Sequence, residues 1–175
     1  MRFIKKIKKD TKGRLIFGYV EKADGGMKSE HVAKYTEPPQ PELTLALEEL
    51  DAHMVDFIEL PEDDDYISRI NVTEVDFSYD DMDECKDVKM TADLAVPAVS
   101  ATVSVTSPTY KVPKSLEEKE FGGEFLSKEE LTAFANLLKE ADRYLNGHRA
   151  QGSLFDDPQE GDGKSLQTVN EGESA

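Results

Sequence analysis

Residues 86–106 read KDVKMTADLAVPAVSATVSVT. Val88, Met90, Ala92, Leu94 and Val96 alternate with Lys89, Thr91 and Asp93, the period-two pattern of a strand with one face in a core and the other in water. After Pro97 the alternation resumes, with Val99, Ala101, Val103 and Val105 against Ser100, Thr102, Ser104 and Thr106. Two such strands in succession predict an antiparallel sheet with one wet face, since strands buried on both sides read as continuous apolar runs.

Upstream, residues 67–79 read as a further strand. Ile70 and Val72 keep one phase while Val75, Phe77 and Tyr79 keep the other, which predicts a β-bulge near Thr73-Glu74. The acidic turn Asp80–Glu84 joins it to the strand at 86–96. At the N-terminus, residues 2–9 and 14–22 form a hairpin around the turn Asp10-Thr11-Lys12-Gly13, and a weaker strand follows at 27–36. Between these groups, Pro41 opens a helix from Glu42 to about Leu60. Its apolar positions Leu43, Leu47, Leu50, Met54 and Phe57 recur in steps of three and four, widened by Ala46, Val55 and Ile58.

Downstream, residues 107–124 read as a loop with prolines, lysines and Gly122-Gly123. The last helix has a capping box in Ser127 and Glu130. Its apolar stripe is Leu131, Phe134, Leu138, Ala141 and Leu145, and Gly147 supplies a left-handed stop. From His148 the chain loses periodicity and gains Gly, Asp, Glu, Gln and Ser, a composition that does not fold. The expectation is an α+β domain over residues 1–147, an antiparallel sheet of about five to six strands packed with two helices, and a flexible acidic tail over 148–175. No internal repeat is visible in the sequence.

The formal net charge is −16, unevenly placed. Arg2, Lys5, Lys6, Lys8, Lys9, Lys12 and Arg14 face only Asp10 within the first fourteen residues, so the rest of the chain is more acidic than the total. An acidic body repels nucleic acid, whose binding depends on neutralising phosphates with Lys and Arg. Those seven basic residues are the group that would contact nucleic acid, with Phe3, Phe17 and Tyr19 available for stacking. Unbroken alternation would put Lys5 and Lys9 with Phe3 and Ile7 on one face, and Lys6 and Lys8 with Arg2 and Ile4 on the other.

The chemistry-bearing residues do not converge on a catalyst. His31, His53 and His148 are far apart, and the single Cys85 is flanked by Asp83, Glu84 and Asp87, which oppose a lowered thiol pKa. The acidic runs Glu62–Asp65 and Asp80–Glu84 lack the central glycine of a calcium loop. Gly163-Lys164-Ser165 ends like a phosphate-binding loop but lacks its leading glycine and its strand. The sequence therefore predicts a non-enzymatic protein with no cofactor and no metal. One cysteine, and no apolar stretch of signal-peptide or membrane-span length, predict the cytosol of a bacterial host.

Gln151-Gly152-Ser153-Leu154-Phe155 lies just past the helix stop. Leu154-Phe155 is the one adjacent pair of large apolar residues in the tail, and such a pair on a tether suits a small hydrophobic pocket on a partner. Gln, Leu and Phe at these offsets arise by chance in a chain of this size with a probability on the order of a few per cent. The segment resembles the short peptide by which bacterial replication and repair proteins dock on the DNA polymerase sliding clamp. That resemblance implies that Gln151 hydrogen-bonds at a pocket rim and that Leu154 and Phe155 fill the pocket. Ser153 meets the preference at its position, and Gly152 stands where a leucine is common.

The chain as a whole resembles small uncharacterised proteins of phages and prophages found among replication and recombination genes. The likeness rests on the lysine-rich first hairpin, on Pro41-Glu42-Leu43 opening a helix, and on Tyr144-Leu145-Asn146-Gly147 leading into the motif. It implies an accessory protein of DNA replication or recombination recruited to the clamp, its folded domain having a further, unidentified partner. Two other functions fit the composition: nucleic-acid binding through the N-terminal hairpin, and an acidic inhibitor that imitates DNA or blocks a host defence protein.

Overall fold

The computed structural model describes residues 1–61, 64–115 and 125–147. Seven strands form one antiparallel sheet: β1 (Arg2–Lys9), β2 (Leu15–Lys22), β3 (Lys28–Tyr35), β4 (Ile70–Tyr79), β5 (Cys85–Val96), β6 (Ala101–Thr106) and β7 (Tyr110–Lys111). Their order is β3-β2-β1-β4-β5-β6, with β7 pairing with β5 beyond the end of β6. Helices α1 (Pro41–Phe57) and α3 (Lys128–Leu145) cover one face, and a short α2 (Asp64–Arg69) leads into β4. The fold is thus α+β, as the alternation at 86–106 requires.

The core lies between the helices and the inward residues of the central strands, among them Ile7, Phe17, Val75 and Met90 against Leu50, Met54, Phe134 and Leu137. Alternation sets which residues go in. The phase change in β4 is resolved by a register shift between Val72 and Glu74, which leaves Thr73 as the extra residue and keeps Ile70, Val72, Val75 and Phe77 all buried.

Several details differ from the sequence reading, among them the start of β6 at Ala101, after a 3-10 turn at Pro97–Val99 that the alternation through Val99 did not foresee. A third helix and a seventh strand are present. The two residues of β7 are held by tertiary contact: Tyr110 stacks on Phe57 at 3.9 Å and donates its hydroxyl to the Phe57 carbonyl at 3.4 Å. The strand expected from residue 67 begins at Ile70, after a helical turn in which Arg69 pairs with Asp65 at 2.8 Å and sits 4.5 Å from the Tyr66 ring centroid. In α3 the buried stripe is Ala133, Phe134, Leu137, Ala141 and Tyr144, leaving Leu131, Leu138 and Leu145 at its margin. Tyr144 explains the rotation. Its ring packs on Phe17 and Tyr35, and its hydroxyl donates to the Glu37 carbonyl at 2.7 Å.

The chain also repeats itself in space. Reading outward from the middle of the sheet, β1-β2-β3 followed by α1 matches β4-β5-β6 followed by α3. The β1–β2 and β4–β5 turns share one construction. The Asp10 carboxylate accepts from the amides of Lys12 and Arg14, and the Asp80 carboxylate accepts from those of Met82 and Glu84. The fourth residue of each turn takes a left-handed conformation, Gly13 at φ 74° and Asp83 at φ 63°.

Within the sheet the halves are joined along β1 and β4, through the pairs Lys6–Asp76, Ile7–Val75 and Lys8–Glu74. No helix among the described residues is long and apolar enough to cross a membrane.

Candidate functional site

The basic residues of the first hairpin are distributed by a bulge that the sequence pattern conceals. The β1–β2 register shifts between Ile4 and Lys6, so Ile4 joins Ile7 on the core side. Phe3 moves to the open face with Lys6 and Lys8, opposite Val20. The expected division, Phe3 with Ile7 and Ile4 with Lys6 and Lys8, is therefore corrected. One extra residue at Lys5 lets both Ile4 and Ile7 be buried.

On the open face the cross-strand neighbours run Lys34, Ile16, Lys8, Glu74, Thr91, Thr106 from edge to edge. Glu74 accepts from Lys6 at 2.6 Å and from Lys8 at 2.7 Å, and Lys6 also reaches Asp76 at 3.1 Å. Gly18 stands opposite Lys6, where a Cβ would come within 3.3 Å of the Lys6 Cβ, so the glycine leaves room for this lysine. The bond to Glu74 holds the Lys6 amine above its ordinary range. Burial pushes the Glu74 carboxyl up, but the hydrogen bonds from Lys6 and Lys8 outweigh it and hold that group below its usual range.

The other basic groups are mostly paired too. Arg2 reaches Glu21 and Asp142, each at 3.1 Å, and Lys5 reaches Glu30 at 3.0 Å. Arg14 pairs with Asp10 at 2.8 Å and thereby holds that carboxyl well below its ordinary value. Lys9 and Lys12 make no ion pair among the described residues. Of the three aromatic groups, Phe17 is fully buried and Phe3 is buried with its ring edge-on to Tyr79. Tyr19 is stacked on His31 at 5.1 Å, with the Arg2 guanidinium 5.1 Å from its centroid. Neither phenylalanine offers a ring face to a base, because the sheet needs both for its own packing.

A cleft of about 410 Å³ opens on the same side, where the β1–β4 pairing stops, between Phe3, Val20 and Tyr79 and the turn carboxylates. Asp83 is engaged by Lys22 and, at 2.8 Å, by Lys28, while Asp80 is engaged by Lys114 and its own turn amides. These contacts hold both carboxyls below their ordinary range, that of Lys22 being the largest cause for Asp83 and that of Lys114 for Asp80. They leave the turn occupied with its neighbours. Cys85 has its thiol pushed up to about 11 by burial and then by Asp87, the opposite of activation.

The motif residues Gln151, Ser153, Leu154 and Phe155 lie outside the described residues, as do His148 and the rest of 148–175. What is described is their attachment. Helix α3 begins with both bonds of its capping box and closes at Gly147, φ 92°, four residues before Gln151. The cleft beside that helix end is lined mainly by polar and charged residues, Arg2, Glu21, Lys22, Asp142 and Asn146, with Met1 and Ala23 beside them. Comparison with protein-family models, with curated proteins and with solved structures finds no match for this chain.

Proposed function

We propose that this chain is a non-catalytic accessory protein of DNA replication or recombination, phage-related, that docks on the bacterial sliding clamp through Gln151, Ser153, Leu154 and Phe155. The observation that carries the reading is the Gln-x-x-Leu-Phe spacing four residues past a helix that closes on its own glycine. Two further facts support it. The cleft at that helix end is lined mainly by polar and charged residues, a poor seat for a Leu-Phe pair. Most basic groups of the first hairpin already face carboxylates, which weighs against direct nucleic-acid binding as the main role.

A five-residue peptide buries little area, so its affinity for the clamp is on the order of micromolar. Most of that comes from Leu154 and Phe155, since large apolar groups seated in a pocket dominate such contacts. The test is binding of the full chain to an immobilised bacterial clamp. Leu154→Ala with Phe155→Ala abolishes binding and leaves the thermal melt unchanged. Absence of wild-type binding at high micromolar concentration makes the motif accidental, and a melt lowered by several degrees assigns the pair to the core.

A further inference from the structure

The two outermost strands occupy matching places in the two halves of the sheet and differ in chemistry. β3 carries Lys28, Glu30, His31 and Lys34 along its edge. β6, Ala101-Thr102-Val103-Ser104-Val105-Thr106, carries no charge, and none occurs anywhere from Leu94 to Tyr110 in a chain whose residues are 33% charged. Charged residues on an edge strand repel a further strand, whereas an uncharged β-branched edge is a template for one.

Among the described residues no strand pairs with the outer edge of β6, and the open length is bounded at both ends. Before β6 the chain turns through Pro97–Val99 and the left-handed Ser100, φ 50°. After it, Ser107 is buried, its hydroxyl accepting from the Met90 amide and donating to the Pro108 carbonyl. β7 is closed by Phe125, which pairs in parallel with Lys111. The Ser107 amide donates to the Met90 carbonyl, so by strand alternation Thr102, Ser104 and Thr106 turn their backbone groups outward. Val103 projects on the helix side of the sheet, opposite Leu94, and is 47% exposed.

We infer that β6 is a self-association edge, to which a second copy of this chain adds its own β6 antiparallel, making one continuous sheet. The charge distribution selects this occupant. Two chains of net charge −16 repel each other, and the approach least opposed is along a line that carries no charge. A basic partner would be met by carboxylates, which β6 lacks. The strand is also complementary to itself: a register that preserves the two faces sets Val103 against Val103 or Val105 of the second copy, an apolar pair on the helix side. Pairing over six residues falls short of the ~1,200 Å² of a standard interface, so the dimer is reversible, with a dissociation constant on the order of micromolar to tens of micromolar. Because repulsion opposes it, added salt strengthens it.

Sedimentation equilibrium of the full chain over roughly 1–200 μM, a range that brackets such a constant, tests this independently of the tail motif. A monomer–dimer equilibrium is expected, tighter at ~500 mM than at ~50 mM salt. Val103→Lys and Ser104→Pro should each weaken it at least about tenfold, with the circular dichroism spectrum preserved. Thr102→Lys, on the solvent face, repeats the test if Val103→Lys disturbs the fold. Val32→Lys on β3 should leave the equilibrium as it was. A monomer throughout the range, a dimer indifferent to the β6 substitutions, or one weakened by salt overturns the inference.

Discussion

Asp51 shows how one side chain can tie a helix to an irregular strand. It projects from α1 and accepts the Val72 amide at 2.7 Å, beside the Thr73 bulge. Burial pushes its carboxyl up to about 6 from 3.8, against the pull of the Val72 amide; nearby Glu48 adds to the rise and Lys9 opposes it. In the window between those values the folded chain holds more protons than the unfolded one. Asp51 thus contributes stability that is fully present below its ordinary pKa and lost as pH rises through the folded value. Asp51→Asn keeps the acceptor and removes the titration. Its melting temperature should match that of the wild type near pH ~4 and exceed it by a few degrees above pH ~7. Calorimetry across that range checks this, and equal melting temperatures at both ends would remove Asp51 as the cause. Glu74 runs the other way, because its lowered pKa stabilises the fold above its ordinary value and the contribution fades on acidification.

At the scale of elements, what the sequence disclosed depended on whether the signal was local. The strand at 86–96 was legible because its inward residues contrast with charged neighbours, and the Thr73 bulge because the apolar residues on either side of it change phase. The Lys5 bulge was not legible, since Phe3, Ile4 and Ile7 fit unbroken alternation equally well. Nor was β7, whose pairing rests on Tyr110 meeting Phe57 from 53 residues away. In α3 the leucines named a plausible stripe, but the actual one was turned by Tyr144, whose partners lie in β2, β3 and the segment before α1. Of the candidate site, the motif was readable as spacing alone, whereas the pairing of Lys6 and Lys8 required knowing that β4 lies beside β1. The capping box was wholly local and is present with both hydrogen bonds. Ser127→Ala should therefore cost about 1 kcal/mol and lower the melt by a few degrees, while Ser127→Thr restores most of the loss. A melt unmoved by the alanine would mean that packing alone holds the first turn.

For the whole molecule, charge placement matters more than charge count. Five of the seven basic groups in residues 1–14 face carboxylates, so little positive potential is left for phosphates. Duplex DNA should bind more weakly than micromolar at ~150 mM salt, as read by fluorescence anisotropy. Sub-micromolar binding lost on neutralising Lys9 and Lys12 would restore the hairpin reading. The same pairing bears on how the two halves are joined. Lys6 stands four residues before Asp10, and Asp76 four before Asp80, so the equivalent position of each half meets the other across the β1–β4 seam. Were the halves separate and identical, this position would lie on a twofold axis and every residue type would oppose its own copy, lysine against lysine or aspartate against aspartate. A bridge of 3.1 Å between opposite charges is closed to such a symmetric pair. Covalent continuity between the halves lifts that constraint, and the centre of this sheet uses the freedom: its most symmetric point carries its most asymmetric contact.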